Sequence, residues 1–132
     1  MHIMLASSDL TVFNDVFQVL KSKDNMKLSY VGSAAEGMEL INEGDVDVVA
    51  ASEQLSDSSG LAFIRKVVTE YPLLNCALVS SLSAEDFHEA TEGLGLFFQF
   101  PQRPDAASAE KMIELLDKIY MLNSRVGGGT QS

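Results

Sequence analysis

The sequence has a single cysteine and no long apolar run. Cys76 is the only cysteine in 132 residues, so no disulfide framework can form, and a reducing, cytoplasmic setting is expected. No apolar stretch approaches the ~20 residues that a membrane-spanning helix needs. The first residues, MHIMLASSD, contain neither a basic segment nor a long apolar region, so we predict no signal peptide.

Positive charge is also scarce. Nine Lys and Arg residues stand against 19 Asp and Glu residues, which gives a formal net charge of -10. Because an acidic surface repels phosphate backbones and anionic lipid, we expect neither nucleic acid nor a membrane as a partner. A protein partner with basic patches is favoured instead. The sequence has no glycine-rich phosphate loop, no CxxC pair and no Ser-His-Asp order, so we expect no enzyme.

Apolar residues are abundant and regularly arranged. They make up 46% of the chain, which is enough for one core in one domain, predicted to span 1–124. Short apolar runs alternate with segments of helical periodicity, which predicts an α/β fold with a parallel sheet covered on both faces. The predicted strands are 2–6, 27–31, 46–51, 75–80 and 96–100; the predicted helices are 10–23, 33–44, 60–70, 83–93 and 105–122. Residues 125–132 are predicted to form a flexible Gly-rich tail.

The predicted strands end mostly in serine. In open α/β sheets, functional side chains gather at the carboxyl ends of the strands. Here these ends are occupied by Ser7 and Ser8, Ser52, Ser80 and Ser81, and Phe100. Hydroxyls at such positions either line a small polar pocket or cap helices and bond to nearby backbone, and the second role is favoured.

The order and spacing of these segments resemble the receiver domain of two-component response regulators, over residues 2–122. The strongest local match is VDVVAASEQLSDSSGLAFIRKV, in which Gly60 and Leu61 match the pair that begins the family's third helix. EGLGLFFQFP matches the family's fifth strand and the proline that closes it. The resemblance implies a flavodoxin-like, three-layer (βα)5 sandwich with strand order 2-1-3-4-5, and a role in phosphorelay signal transduction.

The residues that carry the family's chemistry are missing. A working receiver holds Mg²⁺ with an acidic pair after the first strand, and the matching positions here are Ser7 and Ser8. Its nucleophilic Asp corresponds to Ser52, and its phosphoryl-binding Lys corresponds to Phe100; only Ser80 matches the family's hydroxyl. The resemblance therefore implies a degenerate pseudo-receiver that binds Mg²⁺ weakly or not at all and acts as a phosphorylation-independent protein–protein interaction module.

Two alternatives stay open. A rebuilt Mg²⁺ site at Asp9 or Glu53 would leave a residual phosphoacceptor. Against it, Asp9 suits a helix cap, Asp57 suits a solvated loop position, and strand alternation turns Glu53 away from Ser52. The second alternative is a small-ligand sensor that uses the serine-lined pocket.

The resemblance also places an interaction surface on the fourth helix, the fifth strand and the fifth helix. Phe97 matches the family's switch aromatic, and His88 and Glu89 lie on the fourth helix. His88 is expected on a solvated acidic face, not in a metal site. A homodimer through this face is possible. Phe100 is expected to fill the volume of the missing charged site.

Overall fold

The computed structural model describes residues 1–9 and 11–128, with side chains through Met121. Strands and helices alternate along the chain, as predicted. The strands are β1 (His2–Ala6), β2 (Lys27–Val31), β3 (Val48–Ala51), β4 (Asn75–Val79) and β5 (Phe98–Phe100). The helices are α1 (Asn14–Lys21), α2 (Ala34–Asn42), α3 (Gly60–Glu70), α4 (Ala84–Ala90) and α5 (Ala106–Gly128). α5 includes residues 125–128 of the predicted tail, and residues 129–132 lie outside the described residues.

The five strands form one parallel sheet in the order β2-β1-β3-β4-β5, which confirms the predicted topology. The chain leaves β1 toward β2 and then crosses back to β3, so the winding reverses between β1 and β3. Such a reversal leaves a crevice at the carboxyl ends of the two strands. Ala6 pairs with Ala51, so the residues that follow, Ser7 and Ser52, emerge side by side at this crevice.

Successive strand residues face opposite sides of the sheet, and an apolar layer covers each side. The layer beneath α2, α3 and α4 contains Met4 and Leu78. The layer beneath α1 and α5 contains Leu5 and Phe100. Full burial of one large apolar side chain contributes ~1.5–3 kcal/mol, so these two layers hold the fold together.

Serine hydroxyls begin three of the helices. Ser33 Oγ accepts a hydrogen bond from the Glu36 amide, and Ser83 Oγ accepts one from the Asp86 amide. Ser59 caps α3 in the same way. Each cap satisfies an amide that has no partner inside its helix and contributes ~1 kcal/mol.

The first helix differs from its prediction. It begins at Asn14 instead of 10, and its N-cap, Phe13, offers no side-chain hydrogen bond. The predicted capping role of Asp9 is wrong for α1 because its carboxylate bonds to Thr11, at 2.9 Å from the amide and 2.7 Å from the hydroxyl. Asp9 therefore stabilises the turn that precedes the helix.

Two strands are shorter than predicted at their amino-terminal ends. Pairing of β3 starts at Val48, which lies opposite Ile3 of β1 and Asn75 of β4. β5 starts at Phe98, shortly after Gly95, whose φ of +69° turns the chain. Among the described helices, none is long and apolar enough to cross a bilayer.

Candidate functional site

The strand-end serines lie at one edge of the sheet. Ser7 and Ser52 are almost fully buried, with 1% and 4% of their surface exposed, and Ser80 is 8% exposed. Ser8 and Ser81 are exposed. Parallel pairing of β1, β3 and β4 brings these residues together, as the sequence predicts.

The carbonyl oxygen of Gln54 accepts three hydrogen bonds at this edge. It accepts a hydrogen bond from Ser52 Oγ at 2.9 Å. It also accepts bonds from the amide of Ser8 at 3.0 Å and from Ser8 Oγ at 3.1 Å. The loop after β3 is therefore tied to the end of β1 by its own backbone, and the Ser52 proton points at a neutral carbonyl.

Ser7 has a similar local arrangement. Its Oγ donates to the Asp9 carbonyl oxygen at 2.9 Å and accepts from the Asp9 amide at 3.1 Å. Both capacities of the hydroxyl are thus used within its own turn. This is the ordinary behaviour of serine where chain direction changes, and it takes the oxygen out of reach of a ligand in the crevice.

Gln99 holds the loop after β4. Its side-chain amide donates to the carbonyl oxygens of Ser80, at 3.3 Å, and Leu82, at 2.9 Å. Ser80 Oγ accepts from the Leu82 amide at 3.1 Å, so the loop is braced from within as well. Sequence reasoning missed Gln99, although strand alternation places it on the opposite face from its neighbour Phe100.

Phe100 stands where the resemblance places a lysine, and its side chain lies in the apolar layer beneath α1 and α5. It is fully buried. Its ring packs in T-shaped geometry against Phe13, with centroids 5.8 Å apart, and against Phe98, with centroids 4.9 Å apart. Edge-to-face pairs of this kind contribute ~0.5–1.5 kcal/mol each beyond their area burial. The position supplies core packing and no positive charge.

Asp57 is an exposed loop acid, as predicted, and it is also a helix cap. The residue is exposed, but its carboxylate accepts hydrogen bonds from the amides of Ala34, at 2.7 Å, and Ala35, at 3.1 Å. These bonds lower the pKa of Asp57, because the charged form accepts them best. The loop after β3 is therefore anchored to the start of α2. The prediction missed this because the two partners are distant in sequence.

The residues at this edge do not fit a Mg²⁺ site. Mg²⁺ requires oxygen ligands in octahedral geometry, with carboxylates among them. Asp9 is turned toward Thr11, which lowers the pKa of its carboxyl group mainly through the hydroxyl bond. Within the described part of the chain, no group of three or more His, Cys, Asp or Glu side chains could hold a metal.

A pocket of about 290 Å³ lies beside this edge, between α4, α3 and the end of β4. Leu61, Leu78 and Phe87 supply apolar walls, and Glu53 and Ser81 supply polar groups. Ser80 also lines it, whereas Ser7, Ser8 and Ser52 are not among its lining residues. Of the strand-end serines, those after β4 are the ones that line this pocket.

The predicted interaction surface is partly exposed. Phe97 is half-buried, and its ring centroid lies 6.3 Å from that of Phe98. His88 and Glu89 are exposed on α4, whose buried side is anchored by Phe87. Leu82, in the loop before α4, is 45% exposed. Polar and apolar groups are thus both available to a partner on this side.

Comparison with known proteins bears on the fold. No protein-family model matches the chain, and no curated protein matches its sequence. Solved structures do match. The signal receiver domain of an HD domain-containing protein from Pseudomonas fluorescens Pf-5 has a TM-score of 0.76 at 16% identity, covering 94% of this chain and 92% of that one.

Two further structures agree. The CheY-like receiver domain protein from Methanospirillum hungatei JF-1 has a TM-score of 0.74 at 17% identity, covering 89% of this chain and 94% of that one. The non-phosphorylated receiver domain of RcsB from Escherichia coli reaches 0.78 at 12% identity, covering 89% and 93%. The fold is that of a receiver domain. At these identities the likeness concerns the fold, and the chemistry of the site has to be argued from its own residues.

Proposed function

We propose that this chain is a degenerate receiver that acts in signal transduction by binding a protein partner without being phosphorylated. The observation that carries the proposal is the hydrogen bond from Ser52 Oγ to the Gln54 carbonyl. The hydroxyl at the position of the family's nucleophile is buried, and it donates its hydrogen bond to the nearby backbone.

The chemistry of phosphoryl transfer supports this reading. A serine hydroxyl attacks only when a general base removes its proton. The hydrogen-bond partner of Ser52 Oγ is a carbonyl oxygen, which is too weakly basic for that task. Transfer also needs positive charge to balance the developing phosphoryl charge. No acidic pair follows β1 to hold Mg²⁺. The position of the family's lysine is occupied by the buried phenyl ring of Phe100.

A binding role remains open to the chain because the frame of the fold is intact. The sheet order, the serine caps and the close turn at Gly60 all persist. The net charge of -10 favours a partner with basic patches. A homodimer through the surface formed by α4, β5 and α5 stays a prediction, as does the absence of enzyme activity.

The test is an amide NMR titration with Mg²⁺ and then with beryllium fluoride, which mimics an aspartyl phosphate. The wild-type chain is expected to show no saturable shifts at Ser7, Ser52 or Ser80. The matched control carries Ser7→Asp, Ser8→Asp and Ser52→Asp together, with its fold checked by spectral dispersion. It is expected to gain Mg²⁺-dependent shifts at these positions.

Saturable wild-type shifts that spread from Ser52 to Phe97 would refute the proposal. They would support a residual phosphoacceptor with a rebuilt metal site. Mass spectrometry after incubation with acetyl phosphate would then be expected to find phosphate on a carboxylate.

A small-ligand sensor is the second candidate, and the pocket of about 290 Å³ favours it. That volume is near the lower end of the range for ligand pockets, so only a small molecule fits. Screening small amphipathic compounds by thermal shift is the test, because a ligand of the folded state raises the unfolding temperature. Leu61→Phe, which narrows the pocket, is expected to abolish any such rise.

A further inference from the structure

A groove of about 490 Å³ lies at the amino-terminal edge of the sheet, opposite the strand-end serines. Asp47 and Asn75 contribute to it from the starts of β3 and β4. Glu70 and Tyr71 line it from the end of α3, and Tyr120 lines it from α5. None of these residues belongs to the site described above.

One apolar side chain at this groove stands almost free in solvent. Leu73 is 95% exposed. Its position is built into a braced turn, since the Tyr71 amide bonds to the Val67 carbonyl at 2.7 Å and the Leu74 amide bonds to the Tyr71 carbonyl at 3.1 Å. Pro72 stiffens the turn further. Leu74 is half-buried and packs against the core, so the exposure of Leu73 does not arise from a loose segment.

The groove also carries negative charge. Asp47 and Glu70 take part in no ion pair among the described residues. Asp47 Oδ2 accepts a hydrogen bond from a neutral backbone amide, that of His2, at 2.8 Å. Two aromatic rings, Tyr71 and Tyr120, lie in the same groove, and Tyr120 is 37% exposed. Burial raises the pKa of the Tyr120 phenol, and the negative charge of Asp47 adds to the rise.

We propose that this groove docks a segment of a partner protein that presents an Arg or Lys side chain beside an apolar one. The cation would lie against the tyrosine faces and near the two carboxylates, where ring quadrupoles and negative charge both attract it. The neighbouring apolar side chain would cover Leu73. Charge complementarity selects this occupant, because the groove supplies two acids and no described base.

The other occupants of an apolar groove fit less well. A second copy of this chain also has a net charge of -10, which disfavours it as the occupant of this acidic groove. An anionic lipid surface is repelled for the same reason. The inference rests on the proposed function in one respect. It takes the chain to be a protein-binding module, and it names the binding surface and the kind of side chains that the partner presents.

The probe is a short synthetic peptide of alternating leucine and arginine. It is titrated into the full chain, and binding is measured from amide NMR shifts. Saturable shifts are expected at Asp47, Glu70, Tyr71 and Asn75. A peptide with glutamate in place of arginine is expected not to bind, and one with serine in place of leucine is expected to bind more weakly. Raising the salt concentration is expected to weaken binding, because the groove is open to solvent.

Matched variants locate the interaction. Glu70→Gln and Leu73→Ser are each expected to weaken peptide binding about two- to fivefold, the range for one exposed ion pair or one partly covered apolar side chain. Both side chains are exposed, so the fold should not change. Glu39→Gln removes an exposed acid on α2, away from this groove, and is expected to leave binding unchanged.

Two results would overturn the inference. One is the absence of saturable shifts at the groove. The other is equal weakening by Glu70→Gln and Glu39→Gln, which would mean unspecific attraction to an acidic surface. Neither result touches the proposed function, because the beryllium fluoride titration reads Ser7 and Ser52 at the opposite edge of the sheet. Conversely, fluoride binding at Ser52 would leave the peptide result standing.

Discussion

The carbonyl oxygen of Ser52 occupies the space where residue 60 would carry a side chain. A β-carbon built on Gly60 would lie 1.8 Å from that oxygen, well inside contact distance. The Gly60 amide in turn donates to the Glu53 carbonyl at 2.9 Å. The end of β3 and the start of α3 are thus held together by backbone alone. Gly60 therefore allows the close contact between α3 and the end of β3, although the residue that follows the strand is a serine.

Gly60→Ala is expected to lower the free energy of unfolding by ~2 kcal/mol or more, because backbone atoms must move to admit the methyl group. Urea denaturation followed by circular dichroism measures the change. Gly32→Ala is the control, since a β-carbon there would have its nearest neighbour at 3.7 Å, an ordinary contact. Equal denaturation midpoints for the two variants would contradict the close approach.

Phe100→Lys restores the residue that the family resemblance calls for, and it is expected to destabilise the chain by ~3 kcal/mol or more. The loss combines missing ring packing with an ammonium group placed in an apolar layer. Phe100→Leu, which keeps the site apolar, is expected to cost less. If the lysine variant is as stable as the leucine variant, its side chain reaches the sheet edge and the position is not committed to the core.

Asp57→Asn is expected to weaken the fold at neutral pH and to matter less in acid. The amides of Ala34 and Ala35 lower the pKa of Asp57, so the charged form is bound more tightly in the folded state. Its stabilisation is fully present above the unfolded-state pKa, about 4, and is lost as pH falls through the lower folded-state pKa. Unfolding temperatures of both chains measured against pH check the prediction.

Glu53→Gln serves as the comparison for Asp57→Asn, since Glu53 is an exposed acid in the same loop. The gap between wild type and Asp57→Asn should narrow toward low pH, whereas Glu53→Gln should show little gap at any pH. A gap for Asp57→Asn that stays constant with pH would show that the carboxylate charge is not what anchors the loop to α2.

Gln99→Leu is expected to loosen the loop that follows β4. The change removes both bonds to the carbonyls of Ser80 and Leu82 at similar side-chain volume, and its cost is ~1–2 kcal/mol. Hydrogen exchange should accelerate at Leu82 more than in the central strands. Gln102→Leu, at an exposed position, should leave the exchange pattern as it was. Unchanged exchange at Leu82 in the Gln99 variant would mean that the loop is held by other contacts.

Cys76 is expected to be inert in the folded chain. Burial raises the pKa of its thiol to about 12, so almost no thiolate exists at neutral pH. Iodoacetamide at pH 8 should therefore label the chain only in urea. Ser81→Cys, at an exposed position, provides a thiol that should be labelled without urea. Rapid labelling of Cys76 in the native state would indicate frequent opening of β4.

Local patterns in this sequence are sufficient to predict its strands and helices and their order along the chain. The strands at 2–6 and 27–31 and the helix at 60–70 agree with the structure residue for residue, because apolar periodicity and serine caps act within a few positions. The same applies to the strand-end serines. Their meeting at one edge follows from parallel pairing alone, so Ser7 and Ser52 could be placed together without coordinates.

The contacts that hold the loops at the carboxyl-terminal edge of the sheet join residues far apart in the chain. The bonds from Asp57 to the start of α2, and from Gln99 to the loop after β4, exist only once β2, β1, β3, β4 and β5 lie side by side. The burial of Phe100 against Phe13 needs α1 packed on the sheet. Periodicity and composition carry no information about such partners, because a hydrogen bond or a ring contact is decided by distances that folding alone creates.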